Sequence, residues 1–354
     1  MPFTRLSIER FAAFTEAQFE LQPGVNVLIG ENGAGKSQVL KLLYVLHETA
    51  RRTWDPNVYA DPKAELAGFL RDVFLPDEEA IGRLVHRTAS GKKTTKVRAT
   101  YGDATIAFEL THRGRLTAEA PRDPLDDSIR NDLPAIFLPS REVLSIARVF
   151  IADLKGRKTG FDRTYFDLAE HLYRSPLSGP RDANRKALLT PLETALGGEV
   201  KERGGQFYVR IQDGDIEMPL LAEGLRKIAQ LVYLVVNGSL QRKGLLLWDE
   251  PEANLGAGYA ELLASTILEL ARQGVQIILA THDYVLASEL SRQIEQRPKE
   301  LPPCAFFALR KDGEGQRQVE RAEAFALLQT NPILDAMAEL HDRELSGVAG
   351  EDSR

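Results

Sequence analysis

Gly30-Glu31-Asn32-Gly33-Ala34-Gly35-Lys36-Ser37 satisfies G-x-x-x-x-G-K-[ST] at every fixed position. The residue types follow from one requirement, that backbone N–H groups converge on a polyanion without side chains in the way. Glycines at 33 and 35 supply the unusual dihedrals and the close approach. A short apolar run, Val25 to Ile29, precedes the glycines and reads as a buried strand. An amphipathic segment carrying Val39, Leu40, Leu42, Leu43, Val45 and Leu46 follows and reads as a helix whose positive N-terminal end faces the phosphates. In this frame Lys36 neutralises phosphate charge, the Ser37 hydroxyl is a Mg²⁺ ligand, and Gly30 through Gln38 together form the nucleotide cradle.

A second signal lies more than two hundred residues downstream. Gly244-Leu245-Leu246-Leu247-Trp248-Asp249-Glu250 is an apolar strand ending in two carboxylates. The C-terminal edge of a strand is where an open α/β sheet puts its ligands. Two carboxylates allow two roles: Asp249 on Mg²⁺, Glu250 orienting and polarising the attacking water. A third strand, Val275 to Ala280, runs into Thr281-His282-Asp283.

The rest of the chain supplies context. Segments 4–11 and 15–21 alternate like two half-buried strands, and 64–75 has helical spacing. From 82 to 120, short alternating runs around Ala89-Ser90-Gly91, Gly102-Asp103 and Arg113-Gly114 read as an antiparallel meander. Ala135 to Leu138 is another buried strand. Residues 141–196 are helical, broken near Ser175-Pro176 and Ser178-Gly179-Pro180. Within 141–186, ten Lys or Arg face six Asp or Glu, which is either a solvated helical face or a surface for a partner or nucleic acid. A hairpin is expected over 206–218 around Asp213-Gly214, then a helix to Val236, helices over 257–272 and from Asp283, and strands at 303–310 and 316–321. C-terminal helices follow, and 347–354 reads as a disordered tail. No repeat and no long heptad run is present.

With 354 residues, 43% hydrophobic and 27% charged, the chain suits a globular protein with a substantial core. Its net charge of −6 is no evidence for nucleic-acid binding and none against a local basic patch. Cys304 is the only cysteine, which excludes an intrachain disulfide and a cysteine-based metal site. The N-terminus lacks a signal-peptide layout, and the longest apolar stretches are too short to cross a bilayer, so a cytoplasmic protein without a membrane part is expected. A GTPase should carry N-K-x-D, and none is found.

The order of these segments, cradle, then Leu221-Ala222-Glu223-Gly224 opening a helix, then Asp249-Glu250-Pro251-Glu252-Ala253-Asn254-Leu255, then His282, resembles the ABC-type P-loop ATPases, in particular the soluble RecF/SMC/OLD-like branch. The resemblance implies an α/β P-loop NTPase head with an antiparallel β subdomain and a helical insertion. Its division would be 1–140 for an N-terminal lobe, 141–200 for the insertion and 201–346 for a C-terminal lobe. It implies Glu250 as catalytic base and His282 as the γ-phosphate sensor, with Lys36 on the phosphates. Ala222, Glu223 and Gly224 would be a signature loop offered to the nucleotide of a second protomer, and Asn254 and Leu255 a loop crossing to it. ATP and Mg²⁺ are the implied ligands, and a homodimer or larger homo-oligomer the implied working state. Phe11 and Phe14 either face the adenine or pack in the core. Glu142, after the 135–138 strand, either reaches the metal through water in place of the family's glutamine or caps the next helix. Ala222 stands where the family places serine, and Gly256-Ala257-Gly258 where it has a polar residue and proline, so slow or partner-dependent turnover is expected. Compact members of this kind suggest an effector encoded nearby and a role in defence against phage. A RecF-like DNA-maintenance ATPase, with DNA as partner, and a nucleotide-dependent switch with little turnover are the alternatives.

Overall fold

Strand β3 (Val25–Gly30) is buried along its whole length, and the rest of the fold is arranged around it. The computed structural model describes residues 2–53, 60–87, 94–102, 104–119, 134–148, 160–240, 244–312, 316–331, 333–335, 338 and 343. The expected C-terminal tail, 347–354, lies outside the described residues, as do parts of the expected meander and helical insertion.

β3 pairs in parallel with β12 (Gln276–Thr281) on one side and β13 (Ala305–Lys311) on the other. β11 (Leu245–Asp249) lies beyond β12, and β7 (Ile136–Leu138) beyond β11, both parallel. Only β14 (Arg317–Ala322), at the far edge, is antiparallel. Such a sheet is covered on both faces, which is why its strands read as continuous apolar runs rather than as alternation. Val27, Ile29, Leu246, Trp248, Ile277 and Leu279 face one core, shared with α5 (Glu223–Val236), α6 (Ala260–Arg272) and α7 (Tyr284–Gln296). Leu28, Leu245, Leu247, Ile278 and Phe307 face the other, shared with α1 (Lys36–Thr53), α2 (Pro62–Phe74) and an antiparallel sheet.

That antiparallel sheet has the order β2 (Phe14–Glu20), β1 (Phe3–Phe11), β4 (Thr94–Tyr101), β5 (Ala104–Thr111), β6 (Leu116–Glu119). The meander expected over 82–120 is therefore not self-contained. β4 lies along β1, with Ile8 opposite Val97 and Leu6 opposite Ala99, so the first hairpin and the later strands bury one common face. Residues Ile81–Leu84 form a 3₁₀ turn rather than a strand, and Val85 makes one bridge to Phe11.

Helices α3 (Arg163–Leu172) and α4 (Ala183–Leu196) flank the break read at Ser175 to Pro180. Each starts on an aspartate cap, Asp162 and Asp182. The hairpin expected over 206–218 is β9 (Gln206–Ile211) with β10 (Gly214–Glu217). It gains a third strand, β8 (Glu199–Arg203), whose charged sequence holds one buried apolar residue, Val200, and so carries no strand periodicity. Among the described residues no helix is long and apolar enough to cross a membrane.

Candidate functional site

The cradle stands at the C-terminal end of β3, and helix α1 begins at Lys36. Gly33 and Gly35 sit at φ +82° and +104°, in the region that favours glycine. A Cβ on Gly33 would meet open space, so the loop's outer side is free for a ligand. A Cβ on Gly35 would lie 2.6 Å from Phe14 Cζ, and one on Gly30 2.6 Å from the Leu309 carbonyl oxygen. The loop is thus seated on β2 and β13 at positions that only glycine fits. Lys36 is buried, and its ammonium donates to the carbonyls of Gly30 at 2.5 Å and Glu31 at 3.1 Å. Burial lowers its pKa, opposed by the charges of Asp249, Glu250, Glu252 and Glu31. The Gln38 side-chain oxygen accepts the Ala13 N–H at 3.0 Å, pinning the β1–β2 turn to α1.

Asp249 ends β11, two strands from the cradle, and its carboxylate lies beside the Ser37 side chain. Burial raises its pKa, with Glu250 adding to the rise and Ser37 and Lys36 opposing it. A hydroxyl and a carboxylate side by side at a phosphate cradle, both half-buried, are hard oxygen donors of the kind Mg²⁺ takes, so the residues fit that ion. Among the described residues no group of three or more carboxylates, histidines or cysteines forms a closed metal site.

Beyond Asp249 the chain turns sharply: Glu250 has φ +48° and Asn254 φ +64°. The turn is gripped from two sides. The buried Lys227 ammonium, from α5, donates to the Glu250 carbonyl at 3.0 Å. Burial pushes the Lys227 pKa down to about 8, against the pull of Glu252, Glu223, Glu250 and Asp249. On the other side one Glu252 carboxylate oxygen accepts the Thr281 hydroxyl at 2.7 Å and the His282 N–H at 3.3 Å. The other oxygen is buried and without a hydrogen-bond partner, and burial raises the carboxyl's pKa. His282 Nδ1 lies 3.4 Å from a Glu250 carboxylate oxygen. The structure therefore gathers Lys36, Ser37, Asp249, Glu250 and His282 at one edge of the central sheet.

The other sequence-derived candidates sit differently. Glu142 is buried with its oxygens turned to Ser145, whose N–H donates at 3.0 Å, and to Arg226 at 3.2 Å, which is a local cap and ion pair. Ala222 precedes the first turn of α5 without a side-chain cap, leaving that turn's N–H groups no side-chain acceptor. Gly224 packs on the turn after Glu250: a Cβ there would lie 2.5 Å from the Asn254 carbonyl oxygen. Phe11 and Phe14 are both 0% exposed, which resolves that alternative in favour of core packing.

Lys227 and Thr281 were not legible as site residues, because a lone lysine in a helix and a threonine ending a strand carry no signal of their own. Arg317 was missed for the same reason; it reaches from β14 to donate to the Gly33 carbonyl at 3.1 Å. The D-E-P-E spacing held the hint for Glu252, since a proline between two carboxylates turns the second back toward the neighbouring strand.

Comparison with known proteins gives three findings. A family model described as "AAA domain, putative AbiEii toxin, Type IV TA system" matches residues 25–288. The DNA replication and repair protein RecF of Aliivibrio fischeri (strain MJ11) is 46% identical over 46 residues, 13% of this chain and 13% of that protein. RecF of Salmonella paratyphi B is 44% identical over 57 residues, 16% of each. The matches span under a fifth of these relatives' length. Among solved structures, an Smc head bound to the C-winged helix domain of ScpA superposes with TM-score 0.61 at 13% identity, covering 91% of this chain and 98% of that one. The SMC head domain from Thermotoga maritima gives TM-score 0.50 at 13% identity, covering 91% and 99%. At these identities the likeness concerns the fold, that of a P-loop NTPase head.

Proposed function

The chain belongs to this AAA-domain family, and from that premise we propose that it binds and hydrolyses MgATP as a head-to-head homodimer and couples the cycle to a partner. The observation that carries the reading is the convergence on Lys36 of two carboxylates, Asp249 and Glu250, more than two hundred residues away in sequence. In this reading the cradle N–H groups and Lys36 hold the β- and γ-phosphates. Ser37 and Asp249 hold Mg²⁺, which when bound neutralises phosphate charge. Glu250 orients the attacking water and takes its proton as the γ-phosphoryl leaves ADP. His282, steadied by Glu252 through its own N–H and Thr281, faces the γ-phosphate. The uncapped turn at Ala222, Glu223 and Gly224 offers N–H groups to the nucleotide of the second protomer.

A cytoplasmic setting and an effector encoded nearby, in defence against phage, complete the proposal. The RecF matches favour a second reading, a DNA-maintenance ATPase. ATP turnover and oligomeric state, measured together for wild type and Glu250→Gln with and without DNA, test the chemistry. The expected result is loss of turnover by about 10²-fold or more, with ATP retained and dimer accumulating. A variant that turns over at the wild-type rate refutes Glu250 as base. Stimulation of wild type by DNA supports the second reading.

A further inference from the structure

A hollow of about 710 Å³ opens between α2, the turns at 79–87 and the β5–β6 turn at 112–114. None of the residues lining it belongs to the cradle, so it is separate from the nucleotide site. Its floor is apolar, built on Ile81, Val85 and Leu116, all buried. Its rim carries Lys63, Arg71, Arg87 and Arg113. Among the described residues these four cations form no ion pair, and the fifth, Arg83, is tied to Asp77 at 3.0 Å. Among the described residues Glu79 is the only acid that lines the hollow.

This concentration is unusual in a chain of net charge −6. Four like charges around one concavity repel each other, and low-dielectric walls focus their field on whatever enters. An anion relieves that repulsion, and an apolar floor accommodates the body that carries it. The volume lies in the range of small-molecule sites, about 300–1,000 Å³. On the same antiparallel sheet Lys96 pairs with Glu109 at 3.0 Å and Arg5 with Glu20, which neutralises those two cations. A nucleic-acid groove follows the backbone over several nucleotides; here the cations ring one hollow.

We propose that this hollow is a second anion site, binding a small polyphosphorylated ligand independently of the nucleotide cradle. The test is calorimetric titration of the whole chain with inorganic tripolyphosphate, without metal. Wild type should bind at two sites, Lys36→Met at one, and the double variant Arg71→Glu with Arg113→Glu at one. Both reversed residues lie outside the core, and circular dichroism checks that the fold is kept. A single site in wild type that Lys36→Met removes overturns the proposal. So does a double variant that still binds at both sites. If a 20-nucleotide single strand binds through Arg71 and Arg113 while tripolyphosphate does not, the hollow belongs to nucleic acid and the proposal fails. The cradle is scored separately: if it alone fails, wild type binds at one site, which Lys36→Met keeps and the double variant loses.

Discussion

The Lys227 ammonium and the Glu250 carbonyl meet at 3.0 Å, joining the helix that follows the Ala222–Gly224 turn to the residue proposed as catalytic base. Glu250 holds φ +48°, a backbone conformation that few side chains adopt, and Lys227 is the buried donor that fixes it. The contact ties the helix that begins at Glu223 directly to the backbone of Glu250.

Replacing Lys227 with methionine keeps the volume and removes the donor. Without it the Glu250 carboxylate loses its fixed placement, and misplacement near 1 Å costs about 10²-fold in rate. The expected outcome is a fall in kcat of that order with ATP binding little changed, read by steady-state turnover and by equilibrium binding. A matched loss in affinity would place Lys227 on the nucleotide instead.

Phe14 is buried beneath Gly35 and in edge contact with Phe19. Phe14→Ala therefore leaves a cavity under the cradle and should cost about 3–5 kcal/mol of stability, seen as a lowered midpoint in urea. Preference between ATP and GTP should stay as in wild type. A change in base preference with full stability would return this ring to the adenine.

His171 is buried with its Nδ1 unpartnered, and burial, with Arg174 adding to it, lowers its pKa to about 4. In the unfolded chain the ring titrates near 6.5. Between these values the unfolded state binds the extra proton, so stability is full above about pH 6.5 and falls as pH drops toward 4. The loss amounts to about 3 kcal/mol. His171→Leu should flatten this part of the acid limb in urea melts collected across that window. An unchanged slope would mean that other groups set it.

The parallel core was legible because strands buried on both faces need no alternation, and Leu245 to Trp248 and Val25 to Ile29 are apolar throughout. The chemistry at their ends was legible because glycines, a lysine and paired carboxylates have few other reasons to fall at such points. What stayed hidden depends on distant partners. Nothing local in Glu199–Arg203 says that it pairs with Gln206–Ile211, and nothing in the first hairpin says that β4 will lie along it. The grip of Lys227 and Glu252 on the turn after Asp249 is likewise a product of packing, since each residue alone is an ordinary charged side chain.

The pairing of β3 with β12 also governs when the protein can become functional during synthesis. The Asn26 side chain bonds the Ile277 carbonyl across 251 residues of chain, so the strand that carries the cradle emerges from the ribosome long before its neighbour exists. At about 5–20 residues per second this interval is on the order of ten seconds or more. Throughout it the apolar strand Val25–Gly30 has two unmatched edges, a hazard for association with other nascent chains. A product cut short before Gln276 would keep the whole glycine loop and still lack both strands that pair with β3, leaving an inert and sticky fragment.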